Sequence, residues 1–157
     1  MKSRLVASAA ISALVLLGAT GCTFITPQST KIEYAASDGV NVSDAEGPID
    51  VRNALVIATE DGSVGNFVGA IVNPTEERGT LTISVKGVDP FTVTVPAGET
   101  ISLGADEEPL RIVGLDTKPG ATVEMHFQSG DSAGVTTEVP VLDGTLPYYS
   151  DLAPEED

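Results

Sequence analysis

The stretch Thr80-Leu81-Thr82-Ile83-Ser84-Val85-Lys86, followed by Gly87-Val88-Asp89-Pro90 and Phe91-Thr92-Val93-Thr94-Val95, decides the fold. Leu81, Ile83 and Val85 occupy alternate positions, with Thr80, Thr82, Ser84 and Lys86 between them. Successive side chains of a strand point to opposite faces, so this spacing predicts one apolar and one wet face. Phe91, Val93 and Val95 repeat the pattern, and the intervening Gly and Pro make the pair a β-hairpin.

Toward the C-terminus the same grammar continues. Pro96-Ala97-Gly98 reads as a turn, then Thr100 to Leu103 as a strand with Ile101 and Leu103 inward. Leu110 to Leu115 is a further short strand and Lys118-Pro119-Gly120 a turn. In Ala121 to Gln128, Val123, Met125 and Phe127 point inward and Glu124, His126 and Gln128 outward. Gly134 to Val141 closes the sheet through Val135, Thr137, Val139 and Val141.

Toward the N-terminus, Asn53 to Thr59 and Asn66 to Asn73 are apolar on both faces, as expected of strands covered on both sides. Phe67, Gly69 and Ile71 share one face, Val68, Ala70 and Val72 the other, and Asp61-Gly62-Ser63 forms the turn between the two runs. No helical period is present outside the N-terminal segment. About seven to nine short strands with Gly/Pro turns predict an all-β chain, an immunoglobulin-like antiparallel β-sandwich over residues 49–143. The acidic tail, 144–157, is expected to lay Leu146, Tyr148 and Tyr149 over an open sheet edge and to fray at Glu155-Glu156-Asp157.

Before the sandwich, residues 1–21 have the layout of a secretory signal peptide: Lys2 and Arg4, an uncharged apolar run from Leu5 to Leu17, then Gly18-Ala19-Thr20-Gly21. The apolar run is shorter than the roughly 20 residues a spanning helix needs. Cys22, the only cysteine, follows directly. Ala19-Thr20-Gly21-Cys22 resembles a bacterial lipobox, with Ala19 where Leu is usual. That resemblance implies cleavage between Gly21 and Cys22 and a diacylglyceryl group on the Cys22 thiol; the alternatives are a cleaved soluble chain and an uncleaved anchor. A lone cysteine has no internal disulfide partner, and acylation gives it a purpose. Two or three acyl chains hold a protein stably on a bilayer. Residues 22–48 then read as the lipidated N-terminus and a flexible linker; Thr23 to Lys31 is polar and has no hydrophobic period. At ~3.3–3.6 Å per residue it reaches about 30 Å from the lipid. Ile32 to Gly47 continues loop-like, with turn-forming groups at Ser37-Asp38-Gly39 and Asp44-Ala45-Glu46-Gly47.

Charge narrows the partners. The chain carries 8 basic and 23 acidic side chains, a net −15. Loss of residues 1–21 removes two bases, giving 6 − 23 = −17. Such a balance repels nucleic acid and an anionic membrane surface alike, and its simplest service is solubility.

Val95-Pro96-Ala97-Gly98-Glu99-Thr100-Ile101-Ser102-Leu103, Leu110-Arg111-Ile112-Val113-Gly114-Leu115, Lys118-Pro119-Gly120-Ala121 and Phe127 are similar in order to PCuAC-type periplasmic copper chaperones, which have a cupredoxin-like sandwich. The lipobox, Tyr34-Ala35-Ala36-Ser37-Asp38-Gly39-Val40, Val51-Arg52-Asn53 and Val139-Pro140-Val141-Leu142-Asp143-Gly144 resemble LpqE-like lipoproteins, a group without an established activity. The first resemblance implies that the sandwich is an immunoglobulin/cupredoxin-like antiparallel β-sandwich and that Cu(I) is held by His and Met, a soft ligand set. One His-x-Met pair of that family falls here on Pro109 and Arg111, and no His or Met lies between Arg52 and Ile101. The expectation is that the copper site is lost, with Met125 packing the core and His126 an ordinary surface residue.

Other chemistries lack parts. One histidine, no G-x-S-x-G elbow and no thiol beyond Cys22 leave nucleophilic catalysis without its components. Gly62, Gly65 and Gly69 do not have dinucleotide or P-loop spacing. Asp38, Asn41, Asp44 and Glu46 are the densest oxygen set; a Ca²⁺ site is the sharp reading and turn chemistry the bland one. Asp106-Glu107-Glu108 reads as a solvated loop, and Arg52 is expected to pair with Asp50. The expectation is therefore a non-enzymatic envelope lipoprotein on the extracytoplasmic face of the membrane, without cofactor. Its partners would be membrane lipid through Cys22 and an envelope protein or wall component, not nucleic acid; the alternative is a copper-chaperone-like carrier with altered ligands.

Overall fold

A computed structural model of the chain describes residues 37–42 and 47–155, all within the unit Ala35–Asp157. The signal-peptide and lipobox readings, with Gly21, Cys22 and the linker to residue 36, lie outside the described residues.

The described residues form nine strands: β1 (Val40–Val42), β2 (Asp50–Ala58), β3 (Val64–Val72), β4 (Gly79–Val85), β5 (Phe91–Val95), β6 (Thr100–Leu103), β7 (Leu110–Val113), β8 (Thr122–Ser129) and β9 (Val135–Leu142). Strand order is β5-β4-β8-β9-β2-β3-β6, a sheet nearly closed on itself as a flattened sandwich. The hairpin read from the sequence is β4–β5, in register from Gly79↔Val95 to Ile83↔Phe91. β1 pairs with β2, and β7 with β3, so β2 and β3 each have two partners along one edge.

All pairings between these nine strands are antiparallel except one. β9 runs antiparallel to β8 through Pro140, then pairs parallel with β2 at Val56↔Val141 and Ile57↔Leu142. One strand thus passes from one layer to the other and closes that side. The other side stays open, because β5 and β6 are consecutive but unpaired.

Alternation places the core as expected. Leu81, Ile83, Met125, Phe127, Val139 and Val141 from one layer meet Ala54, Val56, Phe67, Ile71 and Ile112 from the other. Phe67 and Phe127 are fully buried and tilted at 46° with ring centroids 6.0 Å apart, a favourable aromatic geometry spanning the two layers.

β2 and β3 are indeed apolar on both faces. Their second face, Leu55, Ile57 and Val68, packs against Tyr149, Leu142, Leu152 and Ala153. The tail therefore covers a sheet face rather than the edge expected for it, and a 3-10 turn at Ser150–Leu152 shapes it. Tyr149 is buried, whereas Leu146 and Tyr148 remain exposed.

The stretch read as loop holds a further surprise in β1. Its pairing is set at a bulge in β2, where Asn53 takes φ 52°. There the Asn53 amide donates to Asn41 Oδ1 (3.0 Å), and Asn53 Oδ1 accepts from the Gly39 amide (2.9 Å). Asparagine tolerates this left-handed backbone better than most residues. These bonds are side chain to backbone and leave no hydrophobic period to read.

Candidate functional site

The residues singled out for chemistry do not converge. Met125 is 0 % exposed in the core, while His126, next along β8, is half-buried on the outer side. His126 Nδ1 lies 3.1 Å from Thr136 Oγ1 across the β8–β9 ladder, and its ring covers the backbone of Gly134. The neighbours point apart, as alternation requires. Arg111 is exposed on β7 and donates to the Glu155 carbonyl at 3.1 Å.

Of the oxygen set, Asp38 accepts a hydrogen bond from Tyr149 Oη and Asn41 from the Asn53 amide, while Asp44 and Glu46 lie outside the described residues. Asp106, Glu107 and Glu108 are exposed. Arg52 pairs with Asp50 at 2.9 Å as expected; both side chains are well exposed, so the pair adds little stability. No group of three metal-ligating side chains occurs among the described residues, and no helix among them is long and apolar enough to cross a membrane.

The structure instead draws attention to the end of the sandwich where the β2–β3 turn meets the tail. Two Asp-Gly-Ser/Thr tripeptides stand there. At Asp61-Gly62-Ser63, Asp61 Oδ1 accepts from the Ser63 amide (2.9 Å), Ser63 Oγ (2.8 Å) and Thr59 Oγ1 (2.7 Å). Those donors, the Ser63 amide foremost, hold its carboxyl down to about 2. At Asp143-Gly144-Thr145, Thr145 donates to Asp143 Oδ1 from its hydroxyl and from its amide (3.0 Å). The hydroxyl bond first, then the amide bond, lowers the Asp143 carboxyl below its ordinary range. Both carboxylates are fixed as anions by their own turns. Gly62 is required as glycine: φ is 77°, and a Cβ there would lie 2.5 Å from the Thr117 backbone.

Between Thr59-Glu60, just before the first of these turns, and the second turn lies an open hollow of about 570 Å³. Its apolar walls include Ala58, Pro119, Ala153 and Pro154, and Glu60 and Asp143 supply its charge. A smaller adjoining hollow of about 320 Å³ shares Asp143 and Thr145 and continues past Tyr148 and Tyr149 to Asp38. No Lys or Arg lines either one. Sequence reading identified Asp61-Gly62-Ser63 only as a turn and gave Asp143 no role. The Asp143-Gly144-Thr145 turn is visible in the sequence; that it shares a hollow with Thr59, Glu60 and Pro119 is a tertiary fact.

Against known proteins, no protein-family model matches the chain and no curated protein matches it. Among solved structures it is similar to the apo PCuAC domain from PmoF1, with 16% identity, a TM-score of 0.50, and coverage of 60% of this chain and 93% of that one. It is also similar to the apo PmoF2 PCuAC domain, with 12% identity, a TM-score of 0.50, and coverage of 64% of this chain and 94% of that one. At such identities the likeness speaks for the fold, and it agrees with the β-sandwich expected from the strand pattern and with the cupredoxin-like form that the resemblance implied.

Proposed function

We propose that the chain is a lipid-anchored, extracytoplasmic lipoprotein whose β-sandwich binds a protein or wall component of the cell envelope without catalysing a reaction. One observation carries this reading: the apolar run to Leu17, the small residues Gly18 to Gly21, and the sole cysteine, Cys22, directly after them. Two or more acyl chains on Cys22 would hold the domain at the membrane, and the net negative charge would keep it off an anionic surface. Asp61 and Asp143 are engaged in their own turns and His126 in the β8–β9 ladder, which favours binding over chemistry. In-cell crosslinking followed by purification is the test. A defined envelope partner is expected; recovery of abundant bystanders alone contradicts the reading.

A second reading, a metal carrier, has the PCuAC-like fold in its favour. Its obstacles are Pro109 and Arg111 at the positions of the His-x-Met pair and the burial of Met125. Calorimetric titration with Cu(I), Cu(II) and Ca²⁺ separates the two, since a carrier must give saturable heat with one of them.

A further inference from the structure

From the hollow between the β2–β3 turn and the C-terminal tail, we infer a docking groove for an extended, cationic peptide segment of a partner protein. The inference rests on the binding reading above and names the kind of partner that would occupy this place.

The shape is the first ground. The hollow of about 570 Å³ is open and continues through shared Asp143 and Thr145 into its neighbour of about 320 Å³, forming a track rather than a closed cavity. A track suits an extended chain. The walls come next: Pro119, Ala153 and Pro154 offer rigid, small apolar surface with few rotamers to immobilise, and exposed Tyr148 stands over the continuation.

Charge then selects the occupant. Glu60 and Asp143 stand on the main hollow and Asp38 on the adjoining one, with no base among the lining residues. Lys118, next to Pro119, is exposed and lines neither. The Asp143 carboxylate is held in place by Thr145, so its charge is positioned before a ligand arrives. An anionic lipid surface or a nucleic acid would be repelled here, whereas Lys and Arg side chains of a peptide find counter-charges, of which Asp143 and Asp38 are held by hydrogen bonds. By contrast, a third cleft of about 460 Å³ near β8 mixes Lys86 with Asp116 and Glu124 and has no single sign.

The test uses the full-length chain in detergent and a fluorescent synthetic peptide of repeated Lys-Pro-Ala, followed by anisotropy at fixed ionic strength. The paired variant Glu60→Gln/Asp143→Asn removes two charges and keeps an oxygen at position 143 for Thr145. The control Glu76→Gln/Glu77→Gln removes two charges from the exposed β3–β4 loop, at the opposite end of β3. The groove pair is expected to weaken binding about five- to tenfold, with the control within about twofold of the parent. Equal weakening by both pairs reports diffuse attraction to an acidic protein and overturns the groove, as does failure of the parent to bind the peptide. Saturable binding of Ca²⁺ alone that the groove pair abolishes assigns the hollow to a metal ion and also overturns it. Each of these leaves the broader binding reading to the crosslinking experiment, whose outcome does not depend on the groove.

Discussion

Tyr149 Oη donates to Asp38 Oδ2 at 2.7 Å and so joins two positions 111 residues apart, one before β1 and the other in the tail. The bond matters because side chains, not a backbone ladder, tie the described tail to the sheet. The backbone hydrogen bonds of residues 146–153 beyond the strands are internal to that segment. Its ties to the sheet are side-chain bonds, Tyr149 to Asp38, Asn66 Nδ2 to the Leu152 carbonyl (2.9 Å) and Arg111 to the Glu155 carbonyl, together with apolar packing on Leu55, Ile57 and Val68. Such segments open locally before the rest of a fold.

Tyr149→Phe is expected to keep the packing and lose a charge-assisted bond, costing roughly 1–2 kcal/mol. Hydrogen exchange should show faster exchange at residues 146–153 with little change in β4 and β8. Uniform acceleration throughout would mean that the tail and sandwich unfold as one.

Asn73, 1 % exposed, holds the open side of the sandwich. The two N–H groups of its Nδ2 are shared among the carbonyls of Glu77 (2.8 Å), Val95 (3.1 Å) and Pro96 (3.1 Å), its Oδ1 accepts from the Thr75 amide and hydroxyl, and its own amide donates to the Glu99 carbonyl. It thus links the end of β3 to the end of β5, where no ladder joins the two layers. Asn73→Leu should cost roughly 2–4 kcal/mol, because buried carbonyls lose their donor and Leu adds none. Urea unfolding checks the magnitude; a loss below about 0.5 kcal/mol would show that water replaces the amide without cost.

The strands were legible because burial on one face leaves a period of two, as in Leu81-Ile83-Val85 and Val123-Met125-Phe127. The doubly covered strands were legible too, since Leu55, Ile57 and Val68 are apolar where a wet face would be polar. What covers them was not legible, because Tyr149, Leu152 and Ala153 form no periodic pattern. β1 was hidden for a related reason: it is three residues long and depends on the Asn53 bulge. Asn73 looked like the last residue of a strand, its role depending on carbonyls more than 20 positions away. The groove needs Asp38, residues 58–60, Pro119 and the tail together, and only its Asp143-Gly144-Thr145 turn could be seen locally.

Acid should weaken the β2–β3 turn. The Asp61 carboxyl is held at about 2 against an ordinary 3.8, so folding favours its ionised form. Its contribution is present above pH 3.8 and disappears as pH falls from there through about 2. The expected result is a denaturation midpoint that falls over this window more steeply in the parent than in Asp61→Asn, which keeps an acceptor and cannot titrate. Parallel curves for the two would place the acid sensitivity elsewhere.

Met125 and His126 separate packing from ligation. Met125→Ala should cost roughly 2–5 kcal/mol by leaving a cavity in the core. His126→Asn, at a half-exposed outer position, should change stability by less than about 1 kcal/mol. Neither substitution should alter a Cu(I) titration. Loss of copper binding on replacing either residue would revive the metal carrier.

The lipid anchor is tested most directly by Cys22→Ser, followed by metabolic labelling with a fatty-acid analogue and membrane fractionation. A Cys22 anchor predicts that label and membrane retention are lost together while the sandwich stays folded and soluble. Undiminished labelling and membrane retention in the serine variant would contradict it.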